Sequence, residues 1–194
     1  MNRAERRALA RANRKPGKAT RRPPKLLQNP VEHAISAVVP ITADQRTSLG
    51  VRSHGALRSI TAGLGTDQDA SDLVAMVEIT IALVEAVTAQ ARRGADPEQV
   101  AVAEQALAIA NGGAAAMESA SHRTFSTGRW VLAGPEMTAL NECIELHDDF
   151  LRIAPQALLE SAVAAARARA VRRRVAATEA VRRSATRSEE GAAA

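Results

Sequence analysis

Apolar residues recur at helical spacing along most of this chain, and nowhere more densely than between Thr66 and Arg93, TDQDASDLVAMVEITIALVEAVTAQARR. Leu73, Met76, Val77, Ile81, Leu83, Val84 and Val87, with Val74 and Ile79, cover most of a helix circumference there. They leave a narrow polar strip through Ser71, Glu78, Glu85 and Arg92. A helix this apolar must be covered on more than one side, so the pattern predicts the spine of a small bundle. Its ends are marked as well. Thr66 can cap the first turn, Asp67, Asp69 and Asp72 put negative charge at the electropositive N-terminus, and Arg92 and Arg93 precede a terminating Gly94.

Other helices follow from the same reading. Thr42 and Gln45 stand in capping-box spacing ahead of a helix over 43–62, with Ile41 as a staple residue and Leu49, Ala56, Leu57 and Ile60 as its apolar positions. Gly50, Ser53 and Gly55 weaken it. Gly63 and Gly65 flank Leu64 in a connection that reads as a helix C-cap joining antiparallel neighbours. A phosphate cradle is disfavoured, because no strand precedes these glycines and the required lysine is absent. Asp96 and Pro97 open a helix over 97–122, whose seam runs through Val100, Ala103, Leu107, Ala110, Ala114 and Met117. Gly112 and Gly113 interrupt that seam, as a kink, a close backbone contact or a break near Asn111.

Residues 123–134, RTFSTGRWVLAG, leave the helical pattern and read as a small hairpin or a compact loop. Pro135 and Glu136 then start a helix over 136–154 with two adjoining stripes, one through Met137, Leu140, Ile144, His147 and Leu151, the other through Ala139, Cys143, Leu146, Phe150 and Ile153. Pro155 separates it from a last helical stretch over 156–187, which docks through Leu158, Leu159 and Val163 and continues as Ala and Arg. Ahead of the bundle, VEHAISAVVP is an apolar strap or a single helical turn.

These elements predict an all-α fold. It is an antiparallel four- to five-helix bundle over 41–155, with a basic, mostly disordered arm over 1–40 and a protruding Arg/Ala-rich helix and tail over 156–194. Composition adds that Ala, Val, Leu and Ile must fill the interior, since aromatics make up 2% of the 194 residues and Tyr is absent. A lone Cys rules out an internal disulfide framework and suits a reducing cytoplasm. No uninterrupted apolar run of about 18 residues is present, so no membrane span is expected.

Charge changes the picture more. The net +5 conceals ten Lys or Arg against one Glu in residues 1–30, eight Arg against fifteen Asp or Glu in residues 41–156, and eight Arg against four Glu in residues 157–194. An acidic body thus carries two basic ends. That asymmetry points to an anionic partner, DNA or RNA, or else to acidic protein surfaces or this chain's own body. Candidate nucleic-acid contacts are Arg3, Arg6, Arg7, Arg11, Arg14, Lys15, Lys18, Arg21, Arg22 and Lys25 in the arm, and Arg172, Arg173 and Arg174 in the last helix. Arg129 beside Trp130 is a candidate partner contact, stacking a nucleobase or anchoring a protein. The competing reading is that Phe125 and Trp130 plug the end of an alanine-rich bundle, and this is preferred.

Candidate chemistry is sparse. Cys143 and His147 stand at i and i+4 amid Glu142, Glu145, Asp148 and Asp149, types that bind a transition metal or do acid/base work. No second Cys/His pair at zinc-ligand spacing accompanies them, and His147 falls on an apolar stripe, so both are expected to be structural. His33, His54 and His122 have no sequence partners, and no serine lies in a nucleophile motif. No catalytic residue, metal ligand or cofactor is therefore assigned.

The opening Met1-Asn2-Arg3 with Arg6-Arg7-Ala8, the apolar helix after Gly65-Thr66, and the turn Thr127-Gly128-Arg129-Trp130 ahead of an acidic helix resemble a group of small uncharacterised proteins of bacterial phages and integrated mobile elements. The resemblance covers residues 1–14 and 50–153. It implies a mobile-element setting and a bacterial cytoplasm, and carries over no activity; the Arg-rich C-terminal extension departs from the group. The expected function is a non-enzymatic accessory or regulatory protein, touching nucleic-acid phosphates through basic termini and proteins, or copies of itself, through the bundle. The alternative is a protein-binding adaptor or assembly factor without nucleic-acid contact.

Overall fold

A computed structural model describes residues 39–94 and 97–192, with side chains described as far as Ala176. The arm residues singled out above, and the expected cap Asp96, lie outside the described residues. Five helices follow one another: α1 (Ala43–Thr61), α2 (Asp67–Gly94), α3 (Pro97–Thr127), α4 (Gly134–Ile153) and α5 (Gln156–Ala192), and no strand occurs among the described residues. The all-α bundle is as the periodicity predicts.

The spine is α2, which packs against all four other helices. Leu73, Leu83 and Val84 are completely buried, and Ala70, Met76, Val77 and Ile81 join the core around them. Val74 alone of the large apolar set on this helix is substantially exposed. Thr66 and Asp69 cap the helix reciprocally: the Asp69 amide donates to Thr66 Oγ1 at 3.2 Å, and the Thr66 amide donates to Asp69 Oδ2 at 2.8 Å. The same carboxylate accepts from Ser59 Oγ, which ties the end of α1 to the start of α2.

Between those two helices the chain reverses through a Schellman motif. Gly63 has φ +75°, its amide donates to Ile60 O, and the Leu64 amide donates to Ser59 O. Gly65 passes so close to Ile60 that a Cβ on it would lie 2.5 Å from the Ile60 side chain. These glycines form a helix terminus, as their context predicts.

The Thr42–Gln45 capping box is present at α1. Ile41, however, does not staple to the first turn. It packs with Leu151, Ala154 and Leu159 at the α4–α5 corner, while Arg46 at the staple position donates to the Ile41 carbonyl. Val39 and Pro40, the only residues of the expected strap among those described, are fixed to the same corner, because Pro40 bridges Pro155 and the Gln156 amide donates to Val39 O at 2.8 Å.

Helix α3 runs unbroken through Gly112 and Gly113, so of the readings of that pair the close contact is the one found. A Cβ on Gly113 would lie 2.9 Å from Cys143 Cβ and 3.4 Å from Val77 Cγ2, so the missing side chain lets α3 approach both α4 and α2. By length and composition α3 is apolar enough to cross a membrane, which the criterion of an uninterrupted apolar run does not register; one stripe of it, Ala103, Ala110, Gly113, Ala116, Met117 and Ala120, is buried within the bundle.

The hairpin or loop expected over 123–134 is shorter than that range. Residues 123–127 extend α3, because Thr124 and Thr127 return their hydroxyls to backbone carbonyls one turn back and so impose no break. Gly128, at φ +68°, then ends the helix. Arg123 clamps the connection, donating to Glu136 through both terminal nitrogens (2.6 and 2.9 Å) and to Val131 O at 2.7 Å. Glu136 in turn accepts from the Ala133 amide at the start of α4.

Candidate nucleic-acid and partner interface

The basic end that the structure describes is α5. Leu159, Ala162 and Ala166 are buried at alternating spacings of three and four, and the same stripe continues as Arg169 and Arg173. At that point the opposing stripe of α2 changes from apolar to acidic. Arg169 pairs with Glu85 and lies 3.7 Å from Glu78 Oε2, and Arg173 Nη1 is 2.6 Å from Glu78 Oε1. The polar strip of α2 is thus a track for α5, with Glu78 only 5% exposed. Because Glu85 lies toward the end of α2 that receives the earlier part of α5, the two helices are antiparallel.

Of the three α5 arginines singled out from the sequence, Arg173 is engaged with Glu78, whereas Arg172 and Arg174 are exposed. Arg167 is exposed as well, and the residues from Val171 to Ala176 are largely open to solvent, although Arg173 still reaches Glu78, so α5 lies along α2 at least as far as Arg173. Sequence reasoning missed Glu78 and Glu85 as the residues that seat this helix. Their signal was the seven-residue interval from Ser71 through Glu78 and Glu85 to Arg92, which keeps one face.

The second candidate surface lies where the α1–α2 and α3–α4 connections meet. A cleft of about 540 Å³ is lined there by Gly63, Thr66, Asp67, Thr124, Arg129 and Trp130, among others. Trp130 is half-buried against the main core and donates its indole N–H to Asp67 Oδ1 at 2.7 Å, so the ring is held rather than free to swing. Phe125 is not a plug. It is 88% exposed, because the helical continuation of α3 turns it outward. Leu64, in the adjoining connection, is 74% exposed, and Arg129 beside Trp130 faces solvent.

Cys143 and His147 sit in the interior. His147 Nδ1 is 2.9 Å from Thr80 Oγ1, and Thr80 is hydrogen-bonded to Met76 O in the preceding turn of α2. Burial drives the imidazole down to about 4, against a smaller opposing pull from Asp148, and pushes the Cys143 thiol up to about 11. A neutral ring and a protonated thiol locked in a core cross-link two helices; they are poor nucleophiles or proton carriers in that state. Among the described residues no three His, Cys, Asp or Glu side chains gather as a metal-binding group. His54 does find a partner, Asp148 Oδ2 at 2.9 Å, across 94 positions of sequence.

No family model matches the chain, no curated protein matches it, and no solved structure matches it.

Proposed function

We propose that this chain is a non-enzymatic accessory or regulatory protein that contacts nucleic-acid phosphates through its basic termini and proteins through its bundle. The observation that carries this reading is the segregation of charge. Residues 41–156 are acidic, residues 1–30 carry a net +9, and α5 presents Arg167, Arg172 and Arg174 on its exposed faces. Phosphates repelled by the body would be met at the ends, through contacts that carry no base information. The mobile-element setting and a bacterial cytoplasm belong to the same proposal, and rest on the resemblance of the opening residues and the turn before α4.

The arm, residues 1–30, is the principal contact in this proposal and α5 a secondary one. If about six of the arm's cations meet phosphates, affinity falls by about 10³ between 50 and 200 mM salt through counterion release. Filter binding of duplex DNA and single-stranded RNA at those two salts, with full-length protein and with residues 1–30 deleted, tests it. The deletion should weaken binding and flatten the salt slope while leaving the melting temperature nearly unchanged. Full-length protein that binds neither probe at low salt would favour the adaptor reading, for which the exposed Phe125, Leu64 and Arg129 around the cleft are the supporting observation.

A further inference from the structure

At the opposite end of the bundle from that cleft, α2, α3 and α4 leave an open groove of about 590 Å³. Its floor is Val84, Val87, Leu146 and Phe150, and its lips are Val102 and Ile153, the latter 79% exposed. Among the described residues its charged lining consists of Glu98 and Asp149, the second also bonded to Arg152 at 3.0 Å, with no lysine or arginine. It therefore suits an apolar ridge bordered by positive charge.

The same chain displays such a ridge. On α5 the stripe Leu159, Ala162, Ala166, Arg169 and Arg173 turns toward the bundle, so the opposite face is occupied by Val171 and Val175, one turn apart and both exposed. Arg167 flanks that pair on one side and Arg172 on the other, both exposed. Two valines in solvent on the Ala- and Arg-rich part of this helix gain nothing for the isolated chain.

We propose that the outer face of α5, centred on Val171 and Val175, seats in the α2–α3–α4 groove of a second copy of this chain, with Arg167 and Arg172 toward the groove carboxylates. A chain cannot make this contact with itself. Its α5 leaves the corner next to Ile153 and runs antiparallel along α2, which puts Val171 about 22 Å from its own root at about 1.5 Å per residue, facing outward. The contact joins two different surfaces, so each copy has one ridge and one groove to offer.

That asymmetry makes the test sharp. Full-length protein, treated with nuclease so that nucleic acid cannot bridge copies, is weighed by light scattering after size exclusion, alongside Val171→Asp/Val175→Asp and Val102→Asp/Ile153→Asp. All four positions are exposed, and thermal melts confirm that both variants keep the fold. Wild type should run heavier than the 20.5 kDa monomer, each variant alone should run as a monomer, and an equimolar mixture should recover a complex of two chains, since one variant keeps a ridge and the other a groove. A monomeric wild type overturns the proposal. So does either variant retaining the wild-type mass, or a mixture that stays monomeric. None of these outcomes depends on nucleic-acid binding, which is read separately by the filter assay.

Discussion

Arg173 donates to Glu78 Oε1 at 2.6 Å, and the other Glu78 oxygen is buried without a hydrogen bond, 3.7 Å from Arg169. The carboxylate is enclosed while the Arg173 side chain is largely solvated, so the two partners respond unequally to removal. Arg173→Ala leaves a buried charge with only the longer contact and should cost about 1–3 kcal/mol, the exposed end of the pair discounting the usual penalty. Glu78→Met removes the buried charge, lets Arg173 turn to water and leaves Arg169 on Glu85, so it should be near neutral. Urea melts of the two variants give the ranking; a more damaging Glu78→Met would show that the pair contributes net attraction.

Gly113 and Gly112 are neighbours with opposite expected responses to alanine. Gly112→Ala meets Ala139 Cβ at an ordinary 3.9 Å and gains helix propensity, so it should stabilise by about 0.5–1 kcal/mol. Gly113→Ala puts a methyl 2.9 Å from Cys143 Cβ and must part α3 from α4, costing about 1–3 kcal/mol. Equal melting temperatures for the two variants would contradict the close approach.

Ile81 lies in the main core of α2, 7% exposed. Ile81→Asp should abolish the folded state, since an unpaired buried carboxylate costs several kcal/mol against a typical stability of about 5–15. Retained cooperative melting would mean that α2 is peripheral.

Acid should weaken the fold in two steps. His147 is held neutral by burial, its folded value about 4 against 6.5 in an unfolded chain. Between those values the unfolded state binds the extra proton, so stability from this group is present above pH 6.5 and lost as pH falls toward 4. Glu136, held down to about 2 chiefly by its hydrogen bonds from Arg123, contributes above about 4.5 and is lost as pH falls toward 2. Urea-melt free energies against pH should show both slopes, and His147→Gln should flatten only the first.

How far the sequence could be read depended on whether the deciding interaction was local. Thr42 with Gln45, Thr66 with Asp69, and Gly63 after α1 act within one turn, and the elements they bound lie where the pattern puts them. Gly112 and Gly113 were ambiguous because one glycine serves a break, a kink and a close contact equally; the decision belongs to Cys143, about 30 positions away in a chain whose helices are spaced by such intervals. Residues 123–127 read as non-helical from their Ser, Thr and Phe, but Arg123 reaching Glu136 and Val131 O rewards the extra turn. Phe125 reads as an interior residue because the chain has so few aromatics, an argument from supply that says nothing about direction. The pairs Thr80–His147, His54–Asp148 and Glu78–Arg173 have no sequence spacing to betray them.

The change along α5 from alanine to arginine as the inward residue also divides its backbone into two kinetic classes. From Gln156 to Ala166 the amides can exchange with deuterium only when the root lifts out of the apolar core, so their protection should approach that of α2. Beyond Ala166 the helix is held to α2 by arginine pairs to the enclosed Glu78 and the half-exposed Glu85, of which the second is the one dissolved salt weakens. Opening should therefore proceed from the C-terminal side, stop at Ala166 and become more frequent as ionic strength rises, while the bundle beneath responds less.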